Sequence, residues 1–226
     1  VRSSAASDVY KRQELAQAAG LKNLTYVISV SESHNKANIN RTHDQSFEEL
    51  RRIRESFPEL QLCIGMATTF GCPFEGIPDL DKVLRFVERI RSCDVDTVYL
   101  ADTIGIADPA QVRRTVKGIM ERFPDTKMQV HIHDTRGMGL VNTLAAIEAG
   151  VDTVQSTLGG LGGCPFAPGA SGNTATEDLV YMLQRMGYDT GIDFERLLAL
   201  SKEQHAEIDG IYSGHQMNIA AKSPCC

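Results

Sequence analysis

The chain has 226 residues, 42% of them hydrophobic and 23% charged, which is enough apolar material for one ordinary globular domain with a sizeable core. A formal charge of −6 with no cluster of Lys and Arg argues against a nucleic-acid or acidic-membrane surface and points to a small-molecule partner. No apolar stretch approaches the roughly 18 residues of a membrane helix, and six cysteines at no zinc-like spacing fit a reducing compartment.

Residues 1–13 carry no initiator Met and no pattern that joins the amphipathic stretch 14–19, so they read as a non-native or disordered leader. The folded domain is expected over 14–210 and a C-terminal tail over 211–226. Within the domain, short apolar runs alternate with helical periods. A strand is expected over 24–30 and a helix over 45–57, then a strand over 62–69 and a helix over 79–92. A strand over 97–102 precedes a helix over 109–122, with Asp108 as its N-cap and Pro109 at its first position. A strand over 128–134 precedes a helix over 139–149, a strand over 153–158 closes the series, and helices follow near 174–186 and 193–208. Such alternation implies an α/β fold with a parallel sheet.

Polar residues recur at the strand ends, at 31–34, 68–72, 102–103, 131–134 and 159–164. That placement is the habit of (β/α)8 TIM barrels, with a doubly wound open sheet as the rival. A closed barrel takes about 250 residues and eight strands. Five units therefore predict a partial barrel lacking about the first three βα units.

The apolar run 128–132 ends in His131 and His133, followed by Asp134 and Thr135. Residues two apart on a strand share a face, so both imidazoles can grip one divalent ion, a hydrogen-bonded structural pair being the alternative. Asp102 sits at another strand end, where it can serve chemistry or bind a neighbouring loop. Cys164, among Gly159, Gly160, Gly162 and Gly163, is either reactive or a small residue in a tight turn. Asn173 can cap a helix starting at Thr174, with Glu177 assisting from the first turn. Cys72 reads as a structural turn, Glu75 is open between pocket mouth and solvated loop, and His34, His43, His205 and His215 read as surface or core histidines.

The run Gly159-Gly160-Leu161-Gly162-Gly163-Cys164-Pro165, continuing through Asn173 to Thr176-Glu177-Asp178, closely resembles the signature loop of 3-hydroxy-3-methylglutaryl-CoA lyases. Three other segments agree: Phe70 to Gly76, Ala101-Asp102-Thr103-Ile104-Gly105, and His131 to Thr135. The likeness spans roughly residues 24–200 and places the chain near the metal-dependent barrel lyases and Claisen-type synthases. It implies that His131, His133 and Asn173 bind the metal, that Cys164 is a catalytic acid or base on a mobile loop, and that Asp102 moves the hydroxyl proton or holds a water at the ion. His131 then belongs to both the metal and the catalytic sets. The resemblance also implies an acyl-CoA substrate and a homodimer at full length. The family's further metal-binding Asp and essential Arg, in an Arg-Asp-Gly motif, have no counterpart among the 226 residues.

Two imidazoles, an amide oxygen and substrate oxygens suit Mg²⁺ or Mn²⁺ better than a thiolate-seeking metal. Such an ion would acidify the C3 hydroxyl of a 3-hydroxyacyl thioester, and a thiol could protonate C2 of the enolate left when the C2–C3 bond breaks. The expected activity is cleavage of 3-hydroxy-3-methylglutaryl-CoA to acetyl-CoA and acetoacetate, in the cytoplasm or, alternatively, the mitochondrial matrix. Citramalyl-CoA or a longer 3-hydroxy-3-alkylglutaryl-CoA would suit the same groups, whereas the Cys164 loop disfavours a Claisen synthase. From another class altogether, an inactive metal-binding fragment remains the rival, and this chain alone is expected to lack activity.

Overall fold

A computed structural model describes residues 20–163, 166 and 172–219. The expected leader, the stretch 14–19, the end of the tail and Cys164 lie outside the described residues.

The elements run β1 (Asn23–Ser29), α1 (Glu32–Ile39), α2 (His43–Ser56), β2 (Gln61–Ala67), α3 (Leu80–Arg91), β3 (Thr97–Asp102), α4 (Pro109–Arg122), β4 (Met128–Ile132), α5 (Gly139–Glu148), β5 (Thr153–Gln155), α6 (Thr176–Arg185) and α7 (Phe194–Glu207). All neighbouring strands are parallel and lie in the order β1-β2-β3-β4-β5. A doubly wound sheet reverses direction at a switch point and this one does not, which is the progression of a barrel wall.

Local chemistry accounts for the helix starts. Asp79 and Asp108 accept from the backbone N–H groups of Lys82 and Gln111, and Pro109 supplies a pre-set φ at the first position of α4. Thr42 and Gln45 form a capping box at α2. The helix α1 was not expected, because its eight residues bury only His34 and Asn35 and show no apolar period. Its signals are the caps: Ser31 accepts from His34 N–H, and Asn40 closes the helix at φ 55°.

The two sheet faces differ. Ile28, Leu62, Ile64, Met66, Leu100, Val130 and Ile132 point to one face and join Phe47, Leu50 and Ile53 of α2, Val87 and Ile90 of α3, and Val116 and Ile119 of α4 in a single apolar core. The alternate residues, among them Cys63, Gly65, Tyr99, Ala101, Gln129 and His131, face the other way and correspond to a barrel interior.

Several expected boundaries move. The strand β4 stops at Ile132, and His133 instead makes an isolated antiparallel bridge with Asn173. The strand β5 stops at Gln155, because Gly159 and Gly160 adopt φ 67° and 66° in a short 3-10 turn. Among the described residues no helix is long and apolar enough to cross a membrane.

Leu100 is fully buried in the central strand. Its replacement by Ala removes packed methyl groups and leaves a cavity, so Leu100→Ala is expected to cost about 2–5 kcal/mol in urea unfolding, with an unchanged fold by circular dichroism.

Candidate functional site

His131 lies on the interior face of β4, between Ala101 of β3 and Gln155 of β5 in register. One pleat further on, His133 follows it to the same side, and the two Nε2 atoms come within 3.1 Å. Burial lowers the pKa of His131, against the side-chain hydrogen bonding of Gln155 and Asn173. Burial, then the neighbouring His131, brings His133 down to about 4. Both rings are therefore neutral at pH 7, which is the form that ligates a metal. The Thr103 backbone lies close enough to favour the protonated form of His133, yet its Nδ1 is buried without a well-aligned hydrogen bond.

Asn173 reaches this pair through loop packing. Its Nδ2 donates to the Leu161 carbonyl at 3.0 Å, which leaves the amide oxygen as the atom free to serve His131 or an ion. The backbone around it is tied down by Asp134 N–H donating to Gly172 O at 2.6 Å, Thr174 Oγ1 donating to Ile132 O at 2.8 Å and Ser213 Oγ donating to Asn173 O at 2.8 Å. Gly162 passes so close that a Cβ there would lie 2.2 Å from the Asn173 amide nitrogen. The alternative role of Asn173 as a helix cap is not formed: α6 begins at Thr176 behind Ala175, with no side-chain cap. Asn173 is held away from the helix start by the bridge to His133, and Glu177 is engaged elsewhere.

These donors fit a divalent ion. Nitrogen ligands about 2.1 Å from a metal in adjacent positions lie about 3.0 Å apart, close to the observed 3.1 Å. Among the described residues no three His, Cys, Asp or Glu side chains form a metal cage, and the side chain of Asn173 lies within hydrogen-bonding reach of His131.

Asp102 is set apart from the pair by the pleat. It registers with Ile132 rather than His131, and its fully buried carboxylate accepts from Ile106 N–H at 3.0 Å and Ala107 N–H at 3.1 Å. Burial pushes its pKa up to about 6, against those N–H groups and the charge of Arg136. Its hydrogen bonds support the loop-binding alternative for this residue. Cys164 lies outside the described residues, but Phe166 on the same loop packs 4.2 Å from the ring of His34 and 6.0 Å from that of Phe74.

The remaining candidates have partners elsewhere. His34 Nδ1 lies 2.7 Å from Ser29 Oγ, His43 Nε2 lies 2.8 Å from the Ser29 carbonyl, His205 meets the Tyr212 ring edge-on, and His215 bonds Asp178. Cys72 closes a turn by bridging to Gly76, as its Gly and Pro neighbours suggest. Burial raises the pKa of Glu75, but the bonds from Lys82 and Ser33 outweigh it and bring it down to about 2. Sequence reasoning missed Tyr99 and Gln155, both interior neighbours of His131, although alternation along β3 and β5 could have found them. Glu177, read from the sequence as assisting a helix cap, is instead buried and accepts from Gly159 N–H and Ser201 Oγ.

Fold and site together define a partial (β/α)8 barrel with a paired-histidine centre at the C-terminal ends of its strands. The chain belongs to the HMGL-like family, whose model matches residues 4–203. It is 38% identical over 191 residues to a hydroxymethylglutaryl-CoA lyase of Bacillus subtilis, covering 84% of this chain and 64% of the relative. It is 40% identical over 190 residues to the (R)-citramalyl-CoA lyase of Chloroflexus aurantiacus, covering 83% of this chain and 60% of the relative. It thus spans less than two thirds of these relatives' own lengths. An HMG-CoA lyase structure from Acinetobacter baumannii, in complex with coenzyme A and 3-methylmalate, superposes with a TM-score of 0.83 at 40% identity, covering 94% of this chain and 72% of that one.

Because Asp102 holds its proton more tightly folded than unfolded, its contribution to stability is greatest below its ordinary pKa of 3.8 and is lost as the pH rises through about 6. The stability of wild type minus that of Asp102→Asn, from urea titrations, is expected to fall by on the order of 3 kcal/mol between pH 4 and 7. A flat difference would show that the carboxyl titrates normally.

Proposed function

We propose that this chain carries the metal-holding part of a carbon–carbon lyase that cleaves 3-hydroxy-3-methylglutaryl-CoA to acetyl-CoA and acetoacetate. The observation that carries the reading is the pair of neutral imidazoles with Nε2 atoms 3.1 Å apart, beside the side chain of Asn173. Family membership and the two lyase relatives support the reaction class. In the reaction the C3 hydroxyl loses its proton, the C2–C3 bond breaks with its electrons passing to the thioester enolate, and C2 takes up a proton.

His131 and His133, kept neutral by burial, offer lone pairs on one side of the site, and Asn173 offers its amide oxygen. A divalent ion held there, Mg²⁺ or Mn²⁺, would supply Lewis acidity toward the C3 hydroxyl. Cys164 is the proposed proton donor to C2. Asp102 is proposed to act through the loop it holds, because both of its oxygens accept backbone N–H groups. A homodimer and a cytoplasmic or mitochondrial-matrix location complete the proposal.

A second reading is favoured by the Chloroflexus relative, whose name specifies (R)-citramalyl-CoA, one carbon shorter. The same groups would then yield acetyl-CoA and pyruvate. The full-length protein, given each thioester with Mg²⁺ or Mn²⁺, separates the readings by product. Acetoacetate supports the first, pyruvate supports the second, and neither product from either thioester leaves the non-catalytic alternative.

Two substitutions test the residue roles. Replacing either His131 or His133 by Ala is expected to abolish stoichiometric Mn²⁺ binding together with turnover, since truncation removes one of two ring donors; retained Mn²⁺ would remove that residue from the ligand set. Cys164→Ser is expected to lower kcat by about 10²–10⁴ with metal content unchanged, and undiminished turnover would remove the thiol from the chemistry.

A further inference from the structure

The interior face at the level of His131 is lined by small side chains, Ala101 beside it and Ala67 on the next strand, both buried. One pleat below lies a large aromatic residue. Tyr99 registers with Gln129, below His131, and its ring lies 6.0 Å from the His131 imidazole. On its other side the phenol lies directly over β2, where a Cβ on Gly65 would meet the Tyr99 hydroxyl and Cζ at 2.3 Å. Only glycine at 65 lets the ring lie in this position, so Gly65 and Tyr99 form a matched pair spanning from β2 to the foot of the histidine centre.

We infer that Tyr99 determines substrate size: its ring is the floor of the acyl pocket below His131 and His133, and it limits the alkyl group carried at C3 of the hydroxy-diacid. This inference rests on the lyase reading and deepens it, since nothing in the ligand set or the Cys164 loop sizes that pocket. A hydrophobic floor discriminates by the methylenes it excludes, each worth about 10–200-fold in kcat/KM. The hydroxyl is not required for this role, because an aromatic ring of the same outline fills the same space.

The test uses the full-length protein with CoA thioesters of 3-hydroxyglutarates bearing methyl, ethyl, propyl or butyl at C3. Calorimetric Kd values for the matching free acids with Mn²⁺ give a readout without turnover. Wild type is expected to lose at least about tenfold from methyl to propyl in both series. Tyr99→Ala should bring propyl and butyl to within about threefold of methyl, while Tyr99→Phe should keep the wild-type decline. Gly65→Ala should weaken every member of the series in wild type and have no such effect when combined with Tyr99→Ala. A folded Tyr99→Ala protein that binds Mn²⁺ and declines as steeply as wild type would overturn the inference, as would equal losses from Gly65→Ala in both backgrounds. If Tyr99→Ala does not fold, Tyr99→Leu carries the same comparison. Wild type that neither binds nor cleaves any member would overturn the lyase reading and this inference with it.

Discussion

The end of β4 and the chain leaving β5 are stitched together by two hydrogen bonds, from Asp134 N–H to Gly172 O and from Thr174 Oγ1 to Ile132 O, while Asn173 Nδ2 donates to Leu161 O within the chain leaving β5. Together with the bridge between His133 and Asn173, they bring an amide from a distant loop to two imidazoles on one strand. The strand alone supplies two adjacent imidazoles; the loop adds an amide whose Nδ2 is engaged by Leu161 O. Gly162 belongs to this arrangement, because any Cβ there would collide with the Asn173 amide. The backbone freedom of that loop is in part a steric requirement of the site.

Buried carboxylates support the same end of the sheet. Asp102, Glu177 and Asp178 are all buried, and each accepts at least one backbone N–H. Removing a carboxylate from water is costly unless such donors replace the lost hydration, and charge-assisted bonds to backbone N–H groups are among the stronger replacements. Each one fixes a different segment: the loop after β3, the 3-10 turn after β5, and the segment around His215 and Gln216. The face that carries the two histidines is thus framed by loops whose backbones are held from behind.

The division of the sheet into an apolar helix-covered face and a mixed interior face explains why chemistry and stability rest on different residues. Ile64, Leu100 and Val130 pack against the helices, while their strand neighbours Gly65, Tyr99 and His131 face inward. Desolvation on the interior face keeps the two imidazoles neutral without any acidic partner, which suits them to a cation instead of a salt bridge.

Much of this was legible in the sequence because it depends on local periodicity. Alternating apolar runs gave five parallel strands, Asp108 marked a helix start, and the two-residue spacing of His131 and His133 placed both rings on one face. The helix α1 escaped because its caps, not an apolar period, define it. The cap reading that the sequence also allowed for Asn173 gave way to its bridge to His133, far away in sequence. The inward reach of Glu177 and the fit of Tyr99 over Gly65 were decided by tertiary structure alone. Each depends on contacts between separate segments, and a linear sequence records the period of a strand but not which distant group meets it.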